Sequence, residues 1–410
     1  MPTIRDPLWN NIRVEGPYLA LLDSPAFQRL RYVRQLGLAH LVYPGATHSR
    51  FEHALGAYHL ARLTLRVLDD AGQLAEVNET ARELVVAAAL LHDIGHYPFS
   101  HALEEIGVPH HEEVAGPLIA DGPVGEILRD AFGADAPARV LALIRGTSDS
   151  PLQGLISGSI DLDKTDYLKR DALMCGVAYG EIDVDRLRHA LILLRDPSTG
   201  RLGVGLREKG LSALESLLFA KYQMYRNVYW QHAVRSATAM YKRLVEDALQ
   251  SGALQVDALA SYTDEGILHA LERRDPPPLV AAIRERRLYK RAAEAPAAEL
   301  SARTDLDLEW IAEDRTRTRA AEDLLAKRHG LKSGELLLDY PRKERMIGLD
   351  LPLLTRDGAV RHLNDKGLAG AINLPILAEQ LYQSARWLRV FVKGEGRLEM
   401  SGVLEVLGSA

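Results

Sequence analysis

Residues 84–101 read Leu-Val-Val-Ala-Ala-Ala-Leu-Leu-His-Asp-Ile-Gly-His-Tyr-Pro-Phe-Ser-His. The first eight are apolar without interruption. A helix that is apolar all round belongs in the centre of a larger body, and the pattern predicts one over about 80–96, with Pro98 ending it. His92-Asp93 then falls at its buried end. A carboxylate there is costly unless something pairs with it. A divalent cation is a natural partner, and imidazole with carboxylate suits manganese, iron, nickel or zinc. A helix C-terminus also favours histidine, so the pair alone leaves both readings open.

The surroundings add weight to the metal. Of 14 histidines, nine lie between His40 and His111. Upstream, Ser49 and Glu52 have the spacing of a capping box, so a helix should start there and carry His53 early on it. Downstream, Asp163, Tyr167 and Asp171 are four apart and share one face of a helix, with Lys164 beside them. That segment taken alone also reads as a solvated charged face.

Composition sets outer limits. The chain has 410 residues, 47% hydrophobic and 26% charged, which is ordinary for a globular protein. Fifty basic against 56 acidic residues give a net charge of −6, against a surface built mainly for nucleic acid. The single cysteine, Cys175, excludes a disulfide framework within the chain. No signal-peptide pattern and no apolar run of about 20 residues is present, so the expected location is cytoplasmic and not membrane-bound.

Periodicity predicts a mainly α fold: a helical body over 1–290, a helical linker region over 291–334 and a smaller α+β region over 335–410. Residues 1–20 read as an irregular arm or short hairpin. A helix should begin at Ser24-Pro25, with Leu30, Val33 and Leu36 on its apolar face and Gly37 as its stop. Helical patterns recur near 111–133, 136–146, 155–174 and 183–195. Ser198-Thr199-Gly200 and Gly203-Val204-Gly205 suggest a small hairpin, and a long amphipathic helix is expected over 209–250. Asp275-Pro276-Pro277-Pro278 breaks the pattern, and the Ala- and Glu-rich 291–300 suits an exposed helix or linker. Residues 336–339, 347–353, 360–363 and 387–392 are strand-like, with Asp357-Gly358 as a hairpin turn.

The spaced pattern His53, His92-Asp93, Asp163 resembles the signature of the HD superfamily of metal-dependent phosphohydrolases. Phe27-Gln28-Arg29-Leu30-Arg31, Arg34-Gln35-Leu36-Gly37, Ser49-Arg50-Phe51-Glu52-His53, His92-Asp93-Ile94-Gly95-His96, Pro98-Phe99-Ser100-His101 and Asp161-Leu162-Asp163-Lys164 are similar to its deoxynucleoside triphosphate triphosphohydrolase branch. The resemblance is strong over 1–240 and faint at 335–395. It implies hydrolysis of dNTPs to deoxynucleoside and inorganic triphosphate. It assigns one divalent metal (Mn, Fe, Ni, Zn or Mg) to His53, His92, Asp93 and Asp163. Phosphates would meet Arg50, Lys164 and Tyr167. The sugar would lie against Gln35 and Leu36 with its 3′-hydroxyl on Asp171, and the base would lie near His232.

His96, His101 and His111 would line the cleaving side, with Glu104 where the family usually has Asp. His111 is the expected proton donor, and adjacent His110 competes for that role. Around the base, Trp230 and Tyr229 replace the family's tyrosine arrangement, and Tyr222 and Arg226 stand where its basic residues vary. Asp23, Gln28 and Arg31 resemble residues that bind a nucleotide effector; the alternative is capping by Asp23 and surface ion pairing.

Only about 45 residues precede the first catalytic word, so no SAM domain is expected ahead of the body. The family further implies a homo-oligomer, a tetramer or higher assembly. His48 and His59 read as structural, and His40 and Cys175 as packing residues. The basic run Arg284–Arg291 reads as a solvated face. The rival readings are an HD-type hydrolase acting on another nucleotide or phosphoester, and a non-catalytic nucleotide sensor or nucleic-acid-binding regulator.

Overall fold

The computed structural model describes residues 2–197, 199–273, 277–303, 306–342, 351–363 and 372–409. Ser198, Asp275-Pro276 and the 347–350 part of one expected strand lie outside the described residues. The fold is mainly α with small sheets and an α+β C-terminal region.

Strands β1 (Thr3–Asp6) and β2 (Asn10–Arg13) form a hairpin. β3 (Leu191–Arg195) and β4 (Leu202–Arg207) form another, which β7 (Leu351–Leu354) and β8 (Val360–Leu363) extend in the order β3-β4-β7-β8. β5 (Lys290–Pro296), β6 (Leu336–Asp339) and β9 (Trp387–Val392) form a third sheet with β9 in the middle. Strand pairing thus crosses the divisions placed at 290 and 334. The turn at Asp357-Gly358 joins β7 to β8 as expected, with Gly358 at φ 83°.

The centre is the Glu79–Leu91 helix, every residue of which is buried from Leu84 to Leu91. Asn78 caps its start by accepting from the Ala81 amide at 2.8 Å. It stops at Leu91 rather than running to 96. Residues 92–96 make tight turns instead, with Ile94 N–H on Leu91 O and His96 N–H on Asp93 O. Gly95 permits this, since a Cβ there would lie 2.2 Å from the carbonyl of His111. The missing side chain lets the His111–Ala120 helix start against the histidine turn. The Arg50–Asp70 helix begins where its capping box predicted, the Glu52 carboxylate accepting from the Ser49 amide and hydroxyl.

Several expected helices are corrected. The one at Ser24-Pro25 lasts a single turn (Pro25–Gln28), capped by Ser24 rather than Asp23. A short 3-10 turn follows, and then Val33–Gln35 pairs with the entry to the next helix: Gln35 N–H on His48 O, Arg50 N–H on Val33 O. The segment 48–50 thus satisfies the backbone groups of Val33 and Gln35, and Val33 is fully buried there. The 111–133 pattern splits at Asp121-Gly122, Gly122 having φ 59°. The last part of 183–195 is β3, its apolar Leu-Ile-Leu-Leu run buried as a strand. The helix expected from 155 begins at Leu162, capped by Asp161. The segment 291–296 is β5 rather than exposed helix or linker, and Ala292 and Ala295 are buried there.

The long helix over 209–250 is also broken. It runs Leu211–Met224, loosens into a π turn over Tyr225–Tyr229, and restarts as His232–Gln250. Gln231 caps the restart, its Oε1 accepting from the Ala233 and Val234 amides. Aromatic and β-branched residues crowd the break and favour helix weakly. Tyr225, Tyr229 and Trp230 are thereby turned into the cavity described next. No helix among the described residues is long and apolar enough to cross a membrane.

Candidate active site

Four elements meet around one cavity of about 570 Å³. The Arg50–Asp70 helix supplies Arg50 and His53, and the end of the central helix supplies His92 and Asp93. Turns over 96–111 supply the remaining histidines, and the Leu162–Cys175 helix supplies Asp163, Lys164, Tyr167 and Asp171. His53 is fully buried, and its Nε2 lies 2.9 Å from Asp163 Oδ1, 3.1 Å from His92 Nε2 and 3.6 Å from Asp93 Oδ2. His92 Nε2 is 3.5 Å from Asp93 Oδ1 and 3.7 Å from Asp163 Oδ1. Side chains from three distant segments thus converge: His53, His92 and Asp93 lie close enough to share one ion, and Asp163 lies beside the two histidines.

These groups fit a divalent metal. His53 Nδ1 is taken by Asp166 Oδ2 at 2.8 Å, and His92 Nδ1 by the carbonyl of Ala89 at 2.9 Å. Partners of that kind hold the ring proton on Nδ1 and leave the Nε2 lone pair for an ion. Both Nε2 atoms point at the shared centre with two carboxylates. Asp163 and His92 are partly open to the cavity, which leaves room for a further ligand. Burial opposes charge on His53, yet Asp163 and Asp166 hold its proton affinity up to about 10. Burial likewise opposes charge on Asp93, yet Arg50, His92 and His96 hold its carboxyl well below the carboxylate range. Protons thus balance the carboxylates, and a cation would displace them.

Asp166 was not singled out in the sequence. It is three residues after Asp163, inside the same charged run. Arg170 donates to it from Nε at 2.8 Å and to Asp6 from Nη1 at 2.8 Å, and the Trp9 indole also donates to Asp166. All of this is packed against Gly56, where a Cβ would lie 1.9 Å from Asp166 Oδ1. Gly56→Ala is therefore expected to cost at least about 3 kcal/mol by parting a buried ion pair. The check is the denaturant midpoint at constant slope; wild-type stability in the variant would contradict the packing argument.

Next to the first cluster lies a second. Glu104 accepts from His101 Nδ1 at 2.9 Å and from His111 Nδ1 at 2.6 Å. His110, the competing acid, is further away, at 3.7 Å. His96 is buried, stacks on His111 with ring centres 3.9 Å apart, and has its Nε2 3.2 Å from Asp93 Oδ1. Burial, Arg50 and His111 push its proton affinity well below the usual value. Burial opposes charge on Glu104, but His101 and His111 hold its carboxyl far below the usual range.

Arg50 is buried, its guanidinium on Asp93 Oδ2 at 2.6 Å and on the Ser100 hydroxyl at 3.1 Å. Ser100 and Phe99 both have positive φ, 63° and 56°. Such backbone costs about 1–3 kcal/mol per residue and clusters at functional sites. Asp264 holds it, accepting from the Phe99 amide at 2.7 Å and the Arg34 amide at 3.0 Å. Lys164 donates to Asp161 and, at 3.0 Å, to Gly158 O. Asp171 accepts from the Tyr229 hydroxyl at 2.7 Å and bonds His48 Nε2 at 2.8 Å. His48, which reads as structural in the sequence, thus fixes the Asp171 carboxylate.

Gln35, Leu36, Arg50, Lys164, Tyr167 and Asp171 all line the cavity. His232 does not: it faces Arg291 and Arg389, and burial with those charges lowers its proton affinity. Tyr222 and Arg226 bond one another away from the cavity. Of the expected effector residues, Asp23 is exposed, Gln28 bonds the Leu22 carbonyl, and Arg31 lies over the Phe51 ring and bonds Gln28. In the basic run, Arg284 pairs with Glu265 and Glu272, and Arg287 with Glu285.

The profile of the HD domain matches residues 50–171, and that of the HD associated region matches 182–369. The chain belongs to the HD superfamily. It is 38% identical over 291 residues to the uncharacterized protein MJ1154 of Methanocaldococcus jannaschii, covering 71% of this chain and 59% of that one. The deoxynucleoside triphosphate triphosphohydrolase SAMHD1 homolog of Dictyostelium discoideum is 26% identical over 371 residues, covering 83% of this chain and 68% of that protein. A hypothetical protein from Aquifex aeolicus superposes with TM-score 0.72 at 28% identity, covering 100% of this chain and 99% of that one. The chain thus spans 59% of the length of MJ1154. It has an HD-domain phosphohydrolase fold, similar to the dNTPase branch.

Proposed function

We propose that the protein hydrolyses deoxynucleoside triphosphates at the α-phosphorus, releasing the deoxynucleoside and inorganic triphosphate. One observation carries this reading. A single cavity joins the His53–His92–Asp93–Asp163 cluster, the His101–Glu104–His111 relay, the cations Arg50 and Lys164, and the hydroxyl-binding pair Asp171–Tyr229. A small phosphomonoester would leave much of that lining unused.

His53, His92, Asp93 and Asp163 would hold one divalent ion. When bound, such an ion neutralises phosphate oxygens and makes water a stronger nucleophile at neutral pH. Arg50 offers a guanidinium fork and Lys164 a point charge to the triphosphate. Asp171, held by His48 and Tyr229, accepts from the 3′-hydroxyl, with Gln35 and Leu36 against the sugar. Water adds to the α-phosphorus and gives up a proton to solvent as the bond to the 5′-oxygen breaks. That oxygen takes a proton from His111, whose Nδ1 is fixed on Glu104 so that Nε2 is left to serve. The protein acts on its substrate as a homo-oligomer in the cytoplasm.

The test incubates purified protein with each dNTP and with a four-dNTP mixture over Mn, Fe, Ni, Zn and Mg. The mixture includes the case in which one nucleotide activates turnover of another. Triphosphate in equal amount to deoxynucleoside is expected. Monophosphate with pyrophosphate, or no turnover under any of these conditions, would overturn the proposal.

A further inference from the structure

The turn Glu104–Ile106 carries the carboxylate that aligns His101 and His111, yet none of its three residues is buried. Leu103 and Val108 anchor the chain on either side, being nearly or fully buried. Within the turn Ile106 packs against an apolar cluster, and Glu105 adds an ionic tie. Glu105 presents both carboxylate oxygens to the fork of Arg235, at 2.8 Å each, and accepts from Lys242 at 2.7 Å. The other edge of the same guanidinium, Nε, donates to Asp339 Oδ2 at 2.9 Å. Asp339 is the last residue of β6 and its side chain is fully buried.

Two carboxylates and two cations thus contact one another, with Arg389 facing Asp339 from the neighbouring strand, and they join three parts of the chain: the relay turn, the His232–Gln250 helix and the C-terminal sheet. An ion group buried at all but Glu105 often adds little net stability over a well-packed apolar one, and fixing geometry is a use that can justify it. Arg235 is suited to that use because its planar fork dictates direction as well as distance. Glu105 is next in sequence to Glu104, so a rotation of one moves the other.

We propose that Asp339 is a positioning residue: through Arg235 and Glu105 it holds the turn that aligns Glu104 with His101 and His111, so that the C-terminal sheet sets the register of the proton relay. The chemical part of this inference rests on the relay described above; the mechanical part does not.

The experiment compares wild type with Asp339→Asn, Glu105→Gln and Leu336→Ala in the full-length chain. Leu336 is buried on the same strand, away from the cavity, and controls for simple loss of sheet stability. Hydrogen–deuterium exchange without substrate is expected to quicken severalfold over 103–112 in Asp339→Asn and in Glu105→Gln, and to stay at the wild-type rate in Leu336→Ala. With dNTP, the first two are expected to lose about tenfold to a hundredfold in kcat, the scale of a small misplacement of reacting groups, at nearly unchanged KM.

Unchanged exchange over 103–112 in Asp339→Asn and Glu105→Gln would overturn the inference. So would equal quickening in Leu336→Ala, or a rise in KM at constant kcat. If wild type releases no triphosphate while the exchange pattern holds, the dNTPase reading falls and the link between sheet and turn stands.

Discussion

Asp93→Asn is expected to lower triphosphate release by at least about a thousandfold and to remove the bound metal. The size follows from the several kcal/mol of charge stabilisation that a catalytic ion supplies, at about 1.4 kcal/mol per factor of ten. Asp93 faces both clusters. Its Oδ2 meets Arg50 and His53, while its Oδ1 meets His92 and His96. Asparagine keeps the shape and loses the charge. Arg50 is then left buried beside two histidines without its closest anion, and the centre turns repulsive to a cation. Metal content of the purified variant and its turnover are the two readings. A variant that keeps one ion per chain and more than a tenth of its activity would show that Asp93 is not a ligand.

The second large effect concerns the relay. His111→Ala is expected to cost about a hundredfold to ten-thousandfold, the usual contribution of a positioned acid, with metal content unchanged. The distinguishing reading is the leaving group. A deoxynucleoside 5′-oxygen needs a proton as the phosphorus bond breaks, whereas a nitrophenolate does not. The variant should therefore retain far more of its activity on 4-nitrophenyl triphosphate, in which nitrophenolate leaves from the place of the 5′-oxygen, than on a dNTP. Equal losses on both would move the proton donor elsewhere, with His110 the first alternative because it lies 3.7 Å from the same Glu104.

Much of this site could be read from the chain alone, because it depends on local rules. The unbroken apolar run 84–91 forced a central helix, and its end had to carry His92-Asp93 into the interior. The Ser49–Glu52 cap placed His53 on the first turns of its helix. Spacing by four brought Asp163, Tyr167 and Asp171 to one wall. What escaped the sequence depends on partners remote along the chain. The apolar spacing of residues 33–35 reads as helix, but their backbone pairs with 48–50. The 209–250 pattern hid a π turn, since aromatic residues at helical spacing look the same whether the helix continues or loosens. The Ala-rich 291–296 became a strand because β9 lay ready to pair with it. His48 and Asp166 differ again: both stood beside recognised residues, and only the contacts with Asp171 and His53 reveal what they orient.

The most direct test of the central claim is dNTP hydrolysis in ¹⁸O-water with mass analysis of both products. Attack on the α-phosphorus places one heavy oxygen in the triphosphate and none in the deoxynucleoside, and this is the expected result. Heavy oxygen in orthophosphate or pyrophosphate, with nucleotide di- or monophosphate as the other product, would mean that the cavity directs water to a different phosphorus and would contradict the account.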